Sequence, residues 1–217
     1  MHRARQHAGT RSRELRHRLA HEAARLIAEG GIRDFHHAKR KAAERLGIHD
    51  DASLPRNHEI EDALREYQRL FLGDTHAGQL QVRREAALQA LEFFAAFDAR
   101  LVGPVLEGTA GPHAPVTLHL YCDDADAVPR FLGDAGIPAE SHSRRVRLDR
   151  ARVGEFPAWL FSAGDTVIEL TVLPAAALRQ APLSAVDEKP MPRASANQLR
   201  RLLAEGDEAH GPVSDAR

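Results

Sequence analysis

The sequence predicts an α+β fold: an N-terminal helical region followed by a small mixed β-sheet domain with flanking helices. Two observations lead there. Apolar residues recur at helical spacing as far as about residue 97, and from Arg100 the apolar period falls to two. A single helix-like segment, "DADAVPRFLGDAGI", then interrupts a series of strand-like ones, as a crossover connection does in a small sheet domain.

Each element has its own signals. In "RSRELRHRLAHEAARLIAEGG", Leu15, Leu19, Ala23, Leu26 and Ile27 share a helix face and Gly30-Gly31 ends the run. Asp34 is placed to cap "FHHAKRKAAERLG", which turns Phe35, Ala38, Ala42 and Leu46 inward. Pro55 and Asn57 open a third helix built on Ile60, Leu64, Tyr67 and Phe71, and a fourth runs from about Gly78 to Phe97. None is apolar enough to stand alone, so the four are expected to pack together or onto the C-terminal half of the chain. "RLVGPVL", "VTLHLYC", "SRRVRL", "FPAWLFS" and "TVIELTVLP" read as strands, the last two joined by a Gly164-Asp165 turn. Pro129 falls in the first turn of the crossover helix, where a missing N–H costs little. Ser195 and Gln198 stand at capping-box spacing before a last helix. The expected domains are a helical region over 1–98 with a basic N-terminus, a sheet domain over 99–205 with its C-terminal helix, and a flexible tail over 206–217.

The chain has 217 residues, 43 % of them apolar, which suits a folded core. Net charge is −1, but residues 1–50 carry a surplus of six positive charges and the remainder a deficit of seven. A basic first quarter suits a polyanion or an acidic partner, or is simply a solvated face. Cys122 is the only cysteine, which excludes an internal disulfide. No apolar leader core and no apolar window of membrane-span length occurs, so a cytoplasmic protein with no membrane partner is expected. The three lysines, at 39, 41 and 189, do not follow glycine, which excludes a P-loop. No G-x-G-x-x-G follows a strand, which excludes the usual dinucleotide site.

"VLEGTAGPHAPVTLHLY", residues 105–121, joins an apolar segment to Gly108-Thr109 and then to a strand with Thr117 and His119 on one face. With the helix and strands beyond it, up to "TVIELTVLP", it resembles the nucleotidyltransferase superfamily, which includes polymerase beta and the small bacterial, antitoxin-associated nucleotidyltransferases. The resemblance covers about residues 100–175. It implies transfer of a nucleotidyl group from an NTP, with Mg²⁺ or Mn²⁺, to a protein, RNA or small-molecule acceptor. It also implies that Gly108 and Thr109 cradle phosphates. Glycine lets backbone amides approach a phosphate, and the hydroxyl adds a hydrogen bond. In that family two carboxylates alternate along the strand and a third comes from a later one, because a metal pair for phosphoryl transfer needs anionic oxygen ligands.

Glu169 falls at the third position, but Thr117 and His119 stand at the paired ones. The metal set is therefore depleted. The candidate catalytic residues are His119, Glu169 and Thr117, with Glu169 the one metal ligand. If the faces of the two strands coincide, Glu169 orients His119, or His119 serves as a base or binds a softer metal. An alternative is a degenerate relative that binds a nucleotide or a partner without turnover. A plain solvent-facing His and Glu on a half-exposed sheet is also open, as is an ordinary turn at Gly108-Thr109.

Two features of the helical region add candidates. His17 and His21 stand at i, i+4, a spacing that can bind zinc, and "HEAAR" lacks the second histidine of H-E-x-x-H. A helix ending in Gly-Gly before a basic helix is similar to the opening of TetR-type DNA-binding regulators. That makes Lys39, Arg40, Lys41 and Arg45 candidate nucleic-acid contacts. "HDDASLPRN" stands where a recognition helix should come next.

Overall fold

The computed structural model describes residues 2–32, 34–48, 50, 53–124 and 126–209. Among them are seven α-helices and six strands, an α+β protein with its helices at the N-terminus and flanking a mixed sheet. The helices are α1 (His2–Gly30), α2 (Phe35–Arg45), α3 (Asn57–Phe71), α4 (Gly73–Phe93), α5 (Pro104–Glu107), α6 (Ala127–Asp134) and α7 (Ala196–Ala209). The strands are β1 (Arg100–Val102), β2 (Val116–Tyr121), β3 (Glu140–Arg147), β4 (Val153–Ala163), β5 (Thr166–Leu173) and β6 (Arg193–Ala194). No helix among the described residues is long and apolar enough to cross a membrane.

The described residues divide into two compact units. The first takes those within Met1–Ala77, Thr109–Ala114 and Ala185–Glu188; the second takes those within Gly78–Gly108, Pro115–Ser184 and Lys189–Arg217. The division falls inside α4, so most of that helix belongs with the sheet, whereas periodicity alone puts the boundary at 98/99.

In the first unit α1, α2 and α3 share one core. Leu19, Ala23 and Ala24 of α1, Ala38 and Ala42 of α2, and Ile60, Ala63 and Leu64 of α3 are buried together, with Phe35, Leu46 and Tyr67 packed around them. Many of these residues are alanines, whose small side chains let the helix backbones approach closely. Asp34 caps α2 as its position predicts, its Oδ1 accepting from the His37 amide at 2.7 Å. Glu59, at the third position of α3, reaches back to the Arg56 amide at 2.6 Å. Two segments from later in the chain are tied to this unit by side chains. Gln68 donates to the Thr109 carbonyl at 3.0 Å, and Asn57 Nδ2 donates to the Ala185 carbonyl at 2.6 Å.

The second unit is built on a six-stranded sheet in the order β3-β4-β5-β2-β1-β6, antiparallel except for the central parallel pair β2–β5. Alternation along the strands separates two faces. Val116, Leu118, Leu120, Ile168 and Leu170 are fully buried on one of them. Phe161 lies on the same face, beside Ile168. It meets Phe94 at 6.2 Å between ring centres, and Phe94 meets Phe131 of α6 at 5.6 Å. Gly164 takes φ +59° in the two-residue turn between β4 and β5, a conformation that favours glycine.

Five local outcomes differ from the sequence reading, the first being that the fourth helix spans Gly73–Phe93 in place of about Gly78 to Phe97. "RLVGPVL" is strand only over Arg100–Val102; Pro104 opens the short helix α5 instead, since proline fits a first helical position. The first helix starts at His2, earlier than its apolar stripe. The two-residue strand β6 carries no periodic signal and exists through its pairing with β1. The segment 206–217, expected to be a tail, is helical through Ala209; its remaining residues lie outside those described.

Candidate functional site

The register of the sheet decides which polar side chains meet. In the parallel pair, Thr117 lies opposite Glu169 and His119 opposite Thr171. Glu169 pairs across to Leu160 and Thr171 to Ala158, which in turn pair with Glu140 and His142 of β3. Phe156 pairs with Arg144. Thr117, His119, Glu169, Thr171, His142 and Arg144 therefore share one face, opposite the apolar one.

This face is not the half-exposed surface that polar alternation suggests. Thr117 is 8 %, His119 4 %, Glu169 6 % and Thr171 0 % exposed. Part of the cover at one end is a small apolar cluster of Tyr121, Val146 and Leu173, with Phe156 and Leu178 packed on it.

Glu169 is fully engaged. Arg144 Nη1 donates to its Oε1 at 2.5 Å, His142 Nε2 lies 3.3 Å from the same oxygen, and Thr117 Oγ1 donates to Oε2 at 3.5 Å. His119 is not among these partners, so the expected Glu169–His119 dyad is absent from this arrangement. His119 Nδ1 and Thr171 Oγ1 instead lie buried with no hydrogen-bond partner, side by side across β2 and β5. An unpartnered buried polar atom costs about 1–3 kcal/mol.

The electrostatics come from burial and from two arginines. Desolvation, reinforced by the charges of Arg144 and Arg193, pushes the His119 pKa from 6.5 down to about 4. His119 is thus a neutral imidazole at pH 7, able to donate from one nitrogen and accept at the other. Arg193, on β6, points its Nη1 at Tyr121 Oη (3.4 Å) and at the Ala177 carbonyl (3.3 Å).

These residues do not fit a two-Mg²⁺ centre. Mg²⁺ requires a near-octahedral set of oxygen ligands. The face offers one carboxylate, already paired with a guanidinium, and an imidazole and a hydroxyl where further carboxylates would be needed. Among the described residues no group of three or more His, Cys, Asp or Glu is gathered to hold a metal ion.

Gly108 and Thr109 serve the backbone. Gly108 ends α5 at φ +82°, a left-handed cap, and its amide donates to the Pro104 carbonyl. Arg84 donates to the neighbouring Val105 and Leu106 carbonyls, both at 3.2 Å. The turn thus presents the carbonyl end of a helix, partially negative, where a phosphate cradle needs free amides. Thr109 is 5 % exposed and its carbonyl accepts from Gln68.

Two of the four basic residues on α2 are engaged within the protein. Lys39 Nζ donates to the Pro55 carbonyl at 3.0 Å and to Asn57 Oδ1 at 2.8 Å; burial lowers its pKa. Arg45 pairs with Glu22 at 3.2 Å. Arg40 and Lys41 remain exposed, along a groove of about 790 Å³ that also holds Glu44 and Asp50. In "HEAAR" Arg25 simply pairs with Glu22 at 2.9 Å.

His142 and Arg144 escaped the sequence reading. The alternation in "ESHSRRVR" carries them two residues apart on one face of a strand, which is a usable signal, but nothing local shows that this strand reaches Glu169 through two strand pairings. No protein-family model, no curated protein and no solved structure matches the chain.

Proposed function

We propose that the chain is a catalytically degenerate, nucleotidyltransferase-like protein. It binds the anionic part of a nucleotide on the polar face of β2 and β5 and does not turn it over. The observation that carries this reading is the adjacent pair of unpartnered buried atoms, His119 Nδ1 and Thr171 Oγ1, set between Glu169 and two arginines that bear on His119. Arg144 and Arg193 supply positive charge where the superfamily uses metal ions. Guanidinium recognises phosphate oxygens in a fixed fork. His119 and Thr171 supply neutral hydrogen bonds. The order of strand, short helix ending in the Gly108 turn, strand, crossover helix and returning strands over residues 100–173 supports the family reading, and the lone cysteine suits a cytoplasmic setting.

Titration calorimetry with ATP, GTP, CTP and UTP tests it, first in EDTA and then with Mg²⁺ or Mn²⁺. One of the four is expected to bind in EDTA, and Arg144→Ala, with fold checked by circular dichroism, to weaken it roughly tenfold or more. Absence of binding to all four removes the proposal. Binding that appears only with the metal, with transfer of label to a protein or RNA acceptor, replaces it with an active transferase.

A further inference from the structure

The sheet has two edges of unequal length. One is the two-residue β6; the other is β3, Glu140–Arg147, which pairs with β4 alone. Along β3 the backbone groups point alternately toward β4 and away from it. At the hairpin end the Leu148 amide donates to the Arg152 carbonyl at 2.9 Å, while the Arg147 carbonyl faces outward and accepts from the Leu183 amide at 2.7 Å. Ser141, Ser143 and Arg145 alternate in step with Arg147, so their amides and carbonyls also face outward. Among the described residues these groups have no backbone partner. The side chains of residues 140–145 are all exposed, so the stretch is open to solvent. Such an edge is a template for one more strand.

The side chains specify that strand. Arg144 pairs with Glu169 at 2.5 Å, and Glu155 of β4 lies opposite Arg145. With Glu140 and Arg147, carboxylates and guanidiniums balance, so a strongly acidic or basic strand meets no complementary net charge. The charge is instead ordered along β3, a carboxylate at its start and guanidiniums toward its end. That order is complementary to its own copy run antiparallel about a two-fold axis. The free stretch 141–145 is centred on Ser143 and stops short of Arg147, whose carbonyl is already bonded. Pairing about that centre sets Ser143 against Ser143 of the second copy and Ser141 against its Arg145. Each facing pair closes two hydrogen bonds. Glu140 then lies diagonal to Arg144 of the second copy, within reach of a long side chain.

We propose that the protein forms a two-fold dimer in which β3 pairs antiparallel with β3 of a second copy, joining the two sheets into one. The inference is independent of the nucleotide reading.

Sedimentation of the full chain over a range of concentrations tests it, and the mass is expected to rise from one chain to two. Ser143→Pro removes an outward amide that β4 does not use, a change an edge strand tolerates. It should abolish the dimer and keep the unfolding temperature. Glu140→Arg, at an exposed position, sets like charges across the axis and should weaken dimerisation roughly tenfold. In a Cys122→Ala background, Ser143→Cys should give a disulfide-linked dimer on mild oxidation, because facing Cα atoms of a hydrogen-bonded pair lie about 5.5 Å apart, within disulfide reach. A single-chain mass at every concentration overturns the proposal. So does a dimer that Glu140→Arg leaves at full strength and that Ser143→Cys fails to cross-link, which would place the interface elsewhere.

Discussion

On one face of the sheet Leu118, Leu120, Ile168 and Leu170 are fully buried; on the other, Thr117, His119, Glu169 and Thr171 are almost as fully buried. The consequences are opposite. Each apolar side chain contributes about 1.5–3 kcal/mol on leaving water. Each polar one costs free energy on burial unless it finds a partner, and only Glu169 and Thr117 have found theirs. One sheet thus has a face that holds the fold together and a face the fold supports at a cost. Such a cost persists in native proteins mainly where a site requires it.

The largest effect should come from the stabilising face. Phe94, fully buried among Phe93, Phe97, Phe131 and Phe161, is the hub of the aromatic cluster. Phe94→Ala should lower the unfolding free energy by about 3–5 kcal/mol in urea titration. A loss below about 1 kcal/mol would mean that the apolar face does not carry the stability assigned to it.

The next effect belongs to His119 and has a definite sign. Its native pKa is about 4, below the ordinary 6.5. Between those values the unfolded chain binds a proton that the native one refuses, so stability falls as pH falls from about 6.5 to 4. Below pH 4 the difference is constant. A shift of this size corresponds to about 3 kcal/mol. His119→Leu should remove that acid-induced loss while leaving the pH dependence of the other groups, as urea titrations at pH 7 and pH 4.5 would show. Equal acid sensitivity in variant and parent would mean that His119 is solvated and the polar face open to water.

The smallest effect sharpens the comparison most. Thr171→Val keeps the shape and deletes a hydroxyl that has no partner. Stability should stay level or rise by up to about 1 kcal/mol, because nothing is lost but a desolvated group. Nucleotide affinity should fall in the same variant. A clear loss of stability would show that the hydroxyl is bonded in the unliganded protein.

How far the sequence could be read depends on the range of the interactions involved. The caps at Asp34 and at Ser195 with Gln198 were legible, and the latter pair closes as expected, with the Ser195 amide donating to Gln198 Oε1 at 2.9 Å. Both involve residues three apart, so local spacing suffices. The polar stripes Thr117/His119 and Glu169/Thr171 were legible as strand faces, and their coming together follows from the β2–β5 register. Their burial was not legible, because alternation reports which residues share a face and not what covers it. Nor was the capture of Glu169 by Arg144 and His142, which depends on β3 and β4 folding back as a hairpin beside β5. Lys39 misled in the same way: a lysine on a basic helix looks free until the turn before α3 offers it two acceptors.

The amino-acid sequence alone determined the α+β class, the placing of most helices and strands, and which polar residues alternate along β2 and β5. All of these depend on residue identity and on periods of two or 3.6 residues. Tertiary structure alone decided that His119 is buried and neutral, that Glu169 is held by a guanidinium, and that two polar atoms lie side by side without partners. Burial and strand pairing join residues far apart in the chain, fifty-two positions for Thr117 and Glu169 and ninety-three for Leu101 and Ala194, and no local pattern encodes which distant segment arrives there.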